Sequence, residues 1–197
     1  FGNASNSGYI QSALGNEDLK WETSKQFNIG LDVELWEGSF GFSIDYFNKK
    51  TEDMLVKASI PPSSGNADAP WINNGSVLNR GVELEAIYHG KAGNFKFDVI
   101  GNVTLQHNEV TDLDAPFMDG RVESGVYATR TAVGQPIGAF YLLEMEGIFQ
   151  NEQEILLHAF QGNDIKPGDV MFKDQNGDGK IDNQDRVYLG SAIPKVI

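Results

Sequence analysis

The sequence contains no cysteine, which removes any disulfide framework. It also lacks a basic stripe: 28 acidic residues face 15 lysines and arginines, for a net charge of −13. A phosphate-binding surface needs clustered positive charge, so nucleic acid is excluded as a partner. No run of about 18 apolar residues occurs, and this rules out a membrane-spanning helix. A membrane-spanning β-strand is not ruled out, because its signal is only about ten alternating residues. The nucleophile elbow, the phosphate loop, the dinucleotide fingerprint and the HExxH zinc helix are all missing. The three histidines, His89, His107 and His158, are scattered without ligand spacing and read as surface or turn residues. Glu83 with Glu85, and Glu144 with Glu146, are pairs of the kind glycosidases use, but solvated strand faces explain them better. Nothing assembles an active site, and no enzyme is expected. The chain opens on Phe1 rather than Met and shows no signal peptide, so it reads as part of something longer.

What is present is alternation. Phe27, Ile29, Leu31, Val33 and Leu35 are apolar, with Asn28, Gly30, Asp32 and Glu34 between them. Successive strand side chains point to opposite faces, so this stretch predicts a β-strand with one greasy and one polar side. After Glu37-Gly38 the pattern resumes with Phe40, Phe42, Ile44 and Tyr46, which predicts a hairpin. A third strand is expected over 81–89 and a fourth over 95–105, joined by a tight turn at 90–94. Residues 1–20, 71–79 and 108–135 read as loop, and 61–65 is a proline–glycine breaker. One or two short strands are expected within 137–149 and a short helix at 151–158.

The connections carry more information than any one strand. Strands one and two, and three and four, are joined by short turns, whereas long irregular stretches separate the rest. Short turns at one end and long loops at the other is the asymmetry of an outer-membrane barrel. Residues 27–35 span nine positions, close to the roughly 9–11 that cross a bilayer at barrel tilt. Trp36, Phe40 and Phe42 gather beside the short turn, where an interfacial aromatic girdle would lie. The alternative is a secreted β-sandwich, in which the same aromatics form the core and the module binds glycans.

One segment carries a metal signature. From Asp174 the loop places Asp174, Asn176, Asp178, Asp182 and Asp185 at positions 1, 3, 5, 9 and 12, with Gly179 at position 6. That is the spacing of an EF-hand-type calcium loop, where a hard cation gathers six or seven oxygens and the backbone carbonyl of Lys180 adds one. Asp185 stands where an EF-hand has the longer Glu, and no flanking helix pair is evident. A structural calcium ion is the expectation; the alternative is a solvated acidic turn.

Several phrases, taken in order, resemble one family. They are 16–30 (NEDLKWETSKQFNIG), 45–55 (DYFNKKTEDML), 79–84 (NRGVEL), 134–141 (GQPIGAFY) and 147–150 (GIFQ). Pro167-Gly168-Asp169 before the acidic loop, and Asp185-Arg186 and Ile193-Pro194-Lys195 at and after its end, complete the series. This order resembles the C-terminal part of the barrel in SusC/RagA-type TonB-dependent transporters of Bacteroidetes outer membranes. The resemblance implies an all-β fold: antiparallel strands of a 22-stranded transmembrane β-barrel with long extracellular loops. It implies 1–20 as a linker, 21–107 as four barrel strands in two hairpins, and 108–197 as an outward-facing region holding the calcium-like loop. It further implies uptake of oligosaccharides or peptides with a SusD-like surface lipoprotein as partner. Energy would come from the TonB complex, engaged through an N-terminal part outside this sequence, and lipid would surround the wall. Asp32, Glu34, Glu83, Glu85, Lys96 and Asp98 would then line the interior. Four strands alone leave two open edges, which lipid does not tolerate, so the chain is expected to work with the rest of a barrel.

Overall fold

The computed structural model describes residues 15–58, 68–123 and 126–197. The loop expected over the first fourteen residues and the breaker at 61–65 lie outside them. The chain divides into two compact units, the first formed by Phe1–Thr104 with Thr111–Asp114 and the second by Leu105–Val110 with Ala115–Ile197. Among the described residues no helix is long and apolar enough to cross a membrane.

The first unit is built on four antiparallel strands: β1 (Thr23–Leu35), β2 (Phe40–Glu52), β5 (Ser76–Ala92) and β6 (Phe95–Asp112), adjacent in that order. Two short strands, β3 (Leu55–Lys57) and β4 (Trp71–Asn73), pair with each other in the connection between β2 and β5. The register puts like with like across three strands. Ile29 faces Tyr46 and Tyr46 faces Val82; Leu31, Ile44 and Leu84 form the next row, then Val33, Phe42 and Ala86, then Leu35, Phe40 and Tyr88. Because side chains alternate, all four rows lie on one face. That face stays open, with Phe27 and Ile29 each 61% exposed and Leu31 58% exposed. Among the described residues of this unit no second layer covers it, and the buried ones are Asn74, Ser76 and Val77 near the loop end and Gly90 near the turns.

Both turns are short, but the first is longer than the expected Glu37-Gly38 and the second shorter than the expected 90–94. β1 and β2 are joined by Trp36 to Ser39, with positive φ at Trp36 (54°), Glu37 (57°) and Gly38 (81°), and Ser39 N–H donates to the Trp36 carbonyl at 3.1 Å. β5 and β6 are joined by Gly93-Asn94 alone, where φ is positive only at Gly93 (62°), as in a type II′ hairpin turn. The aromatics gather here as expected. Trp36 stands 5.8 Å from Phe40, and Phe97 stands 6.0 Å from both Tyr88 and Phe95. Gly90 is required beneath this cluster, since a Cβ there would fall 2.2 Å from the Phe97 ring.

Two strands outrun the sequence reading. β5 starts at Ser76 rather than Gly81, and β6 ends at Asp112 rather than Leu105. The added positions, such as Asn79, Arg80, Gln106 and Asn108, carry polar side chains and break the alternation. Backbone amides need partners whatever the side chains are, so the ladder continues: Lys49 faces Asn79 and Thr51 faces Val77. Likewise β4 lies inside the stretch read as loop at 71–79. Asn73 holds that corner, accepting from Lys20 N–H at 2.7 Å and donating to the carbonyls of Lys20 and Asp53 at 2.8 Å each.

The second unit has short strands. β7 (Met118–Glu123), β8 (Val126–Thr131), β9 (Ala139–Leu143) and β12 (Arg186–Gly190) form a sheet in the order β12-β9-β8-β7, while β10 (Met145–Ile148) pairs with β11 (Val170–Phe172). β7 and β8 fall within 108–135, where the sequence reading expected only loop. The helix α1 (Glu152–Leu157) forms where expected, with the Asn151 side chain capping it by accepting from Glu154 N–H at 2.9 Å. Unlike the first unit, this one has a small buried centre: Val110, Ala139 and Phe149 are each 1% exposed.

Candidate functional site

Three arrangements bear on function. The first is the polar face of the four-stranded sheet. Asp32 faces Ser43, which faces Glu85; Gly30 faces Asp45, which faces Glu83; Glu34 faces Gly41. Ser43 donates to Asp32 at 2.6 Å. On β6, Asp98 contacts His89 of β5 at 2.6 Å. Shallow clefts of about 310 and 360 Å³ open on the sheet between these residues. Phe47 and Ile87 break the polar pattern, since the register sets Phe47 beside Asn28, and Ile87 beside Gly41 in the row of Glu34. The expected interior residues Asp32, Glu34, Glu83 and Glu85 therefore share one side, opposite the apolar rows.

The second is the acidic loop between β11 and β12. Asp174 accepts from Gly177 N–H at 2.7 Å and Gly179 N–H at 2.8 Å, and both glycines have positive φ, 74° and 83°. Asn176 accepts from Asp178 N–H at 2.9 Å, Asp178 from Lys180 N–H at 2.9 Å, and Asp182 from Gln184 N–H at 2.7 Å. Asp185 is wholly buried and accepts from Asp182 N–H at 2.8 Å and Gln175 N–H at 3.0 Å. These amides, that of Asp182 foremost, hold its carboxyl below the usual aspartate range against the opposing effect of burial. The loop is braced from outside by Phe160, whose N–H donates to Gly179 O and whose carbonyl accepts from Ile181 N–H, each at 2.9 Å. Gln175 also donates to Glu144 at 2.6 Å. The six residues of the calcium spacing thus share one loop, and the five with side-chain oxygens, all but Lys180, turn them to backbone amides. Among the described residues no three acidic or histidine side chains converge as a metal-holding group.

The third arrangement has no sequence signal. Arg130 of β8 lies between two rings, 3.6 Å from Phe117 and 3.8 Å from Tyr141, and grips Asp119 of β7 through two hydrogen bonds of 2.7 and 3.2 Å. Tyr141 lies 5.0 Å from Tyr188, the rings tilted by 53°, and the Tyr188 phenol is pushed up by burial. Arg186 adds a guanidinium 5.5 Å from the Tyr141 ring and donates to the Tyr127 carbonyl. The partners come from four strands or their flanks, β7, β8, β9 and β12, so only the sheet brings them together. The acidic pairs raised for hydrolysis are engaged differently: Glu144 with Gln175 and Lys173, and Glu146 with His158 at 3.7 Å.

A single antiparallel layer, apolar on one side and polar on the other, with tight aromatic turns at one end, is the wall of a membrane β-barrel. The family model described as TonB dependent receptor-like, beta-barrel, matches residues 1–140, and the chain belongs to that family. It is 31% identical over 195 residues to TonB-dependent receptor P3 of Formosa agariphila, a match covering 95% of this chain and 19% of that protein. It is 32% identical over 184 residues to TonB-dependent receptor SusC of Bacteroides thetaiotaomicron, covering 87% of this chain and 17% of that one. Its fold matches the solved RagAB peptide transporter with a TM-score of 0.75 at 21% identity, over 99% of this chain and 20% of that one. The chain thus spans about a fifth of the length of the relatives it matches. The β-sandwich alternative is set aside, because the family is a barrel.

Proposed function

We propose that this segment is part of the wall and outward-facing region of an outer-membrane nutrient importer. It takes up oligosaccharides or peptides unchanged, with energy from the TonB complex and a SusD-like surface lipoprotein as lid. The observation that carries this reading is the register: four apolar rows face one way while Asp32, Ser43, Asp45, Glu83 and Glu85 face the other. That is the requirement for a strand set between lipid and an aqueous lumen. The likeness to a peptide transporter supports the peptide class, and the SusC/RagA-type resemblance keeps oligosaccharides beside it. Residues 21–107 supply the wall and 108–197 the outward-facing part. The test is to express the full-length gene product with its neighbours, fractionate the cells and assay uptake of oligosaccharides and of peptides. A heat-modifiable outer-membrane protein that co-purifies with a lipoprotein and imports one class supports the proposal. A product that is soluble and folds without detergent sinks it.

A calcium ion in the Asp174 loop is a second proposal. The spacing of Asp174, Asn176, Asp178, Lys180, Asp182 and Asp185, and the external brace at Phe160, support it; the lack of convergence stands against it. Calorimetric titration of the full-length product with calcium, beside its Asp174→Ala variant, decides: saturable binding lost in the variant supports the site, and no heat removes it.

A further inference from the structure

On the apolar face of the sheet the charges are placed unevenly. Beyond the four apolar rows, at the end away from the short turns, the register sets Asn48 beside Arg80 and Lys25 beside Lys50. Alternation puts these residues on the same side as Ile29, Leu31 and Leu84. Lys25, Lys50 and Arg80 thus form a cationic edge, and the carboxylate paired with it among the described residues is Glu52, which contacts Lys25 at 2.5 Å and Lys50 at 2.9 Å. At the turn end this face gathers aromatics, Phe40, Tyr88, Phe95 and Phe97, beside Leu35. No lysine or arginine among the described residues shares the face there.

The height of this edge is set by geometry. Lys25 lies ten residues along β1 from Leu35. At about 3.3 Å per residue and a tilt of about 40°, that separation is about 25 Å along the membrane normal, the height of the apolar band of an outer-membrane barrel. The aromatic turn end marks one boundary of the hydrocarbon and the three cations mark the other. A lysine or arginine on a lipid-facing surface is costly inside hydrocarbon, yet at the headgroup level it meets anionic groups.

We infer that Lys25, Lys50 and Arg80 form a binding edge for the phosphate groups of lipids in the outer leaflet. The inference rests on the membrane reading above and adds a lipid class to it. Glu52 is the counter-charge that fixes the two lysines while the surplus positive charge meets phosphate. Each cation near a charged lipid surface contributes about fivefold in affinity, and the contributions multiply.

The experiment uses the full-length gene product in detergent, titrated with lipid A and with dephosphorylated lipid A, binding being read by native mass spectrometry. The wild type is expected to prefer the phosphorylated lipid at least tenfold. The K25Q/K50Q/R80Q variant is expected to lose that preference, while its affinity for the dephosphorylated lipid stays unchanged. Glu52→Gln is expected to tighten lipid A about fivefold, a gain that misfolding does not produce, and heat-modifiable migration checks that each variant is folded. Retained preference in a folded triple variant, or an unchanged Glu52→Gln, overturns the inference. A wild-type product that stays soluble without detergent overturns it through the membrane reading itself, and fractionation shows this independently of any lipid titration.

Discussion

The two units of this chain solve the problem of satisfying a backbone in opposite ways. In the first, long strands pair edge to edge, and large apolar side chains stay open on one face: Phe27, Ile29 and Leu31 are all more than half exposed. In the second, strands are short, and order comes from a small buried centre at Phe149 and Val110 together with side chains that serve amides directly. Asp174, Asn176, Asp178, Asp182 and Asp185 each accept from backbone N–H groups within one turn of chain. The lesson concerns solvent. Under the function proposed above, a wall that lipid covers needs no second layer, whereas an outward-facing region in water must build its own centre or tie its loops to their own backbone.

The sharpest way to break this contrast is a pair of arginines placed one residue apart. Ile44 sits mid-row between Leu31 and Leu84, while Ser43 sits between Asp32 and Glu85. In the full-length protein folded into lipid vesicles, Ile44→Arg should destabilise by about 2–4 kcal/mol and Ser43→Arg by about 0.5 kcal/mol or less, read by denaturant titration. Equal effects would show that the two faces meet the same surroundings.

A smaller, local effect is expected in the second unit. Asp185→Ala removes the acceptor of the Gln175 and Asp182 amides, so hydrogen exchange of those amides should quicken roughly tenfold or more, with Asp185→Asn intermediate. Its titration has a definite sign. The folded carboxyl is held low, so its contribution is complete above the ordinary aspartate range and fades as pH falls through the lower folded value. Protection of the loop should therefore be flat from neutral to mildly acidic pH and drop only below that range. A loss near pH 6 would assign the stability to another group. The smallest effect is at α1, where Asn151→Ala should cost about 1 kcal/mol and speed exchange at Glu154 alone.

How much of this was legible depended on which period the residues repeat. The hairpin of β1 and β2 announced itself because Phe27 to Tyr46 alternate, and alternation is a direct record of two solvents on two faces. The acidic loop was legible as well, because its ligand-type residues and Gly179 lie within twelve consecutive positions. β7, β8 and the outer ends of β5 and β6 were not, since their apolar and polar residues do not alternate, and the burial of Ser76, Val77 and Val110 there depends on partners distant in the chain. Arg130 with Phe117, Asp119, Tyr141 and Tyr188 left no trace either, being spread over about seventy residues. By itself the sequence determined the all-β class, the two-faced wall, the tight turns and the loop of aspartates, all of which follow from local spacing. Only the tertiary structure decided the cross-strand rows, the cationic edge at Lys25, Lys50 and Arg80, and the destination of each aspartate oxygen. Register and hydrogen-bond partners depend on which distant segments meet, and that is a property of the paired backbone rather than of any one stretch of chain.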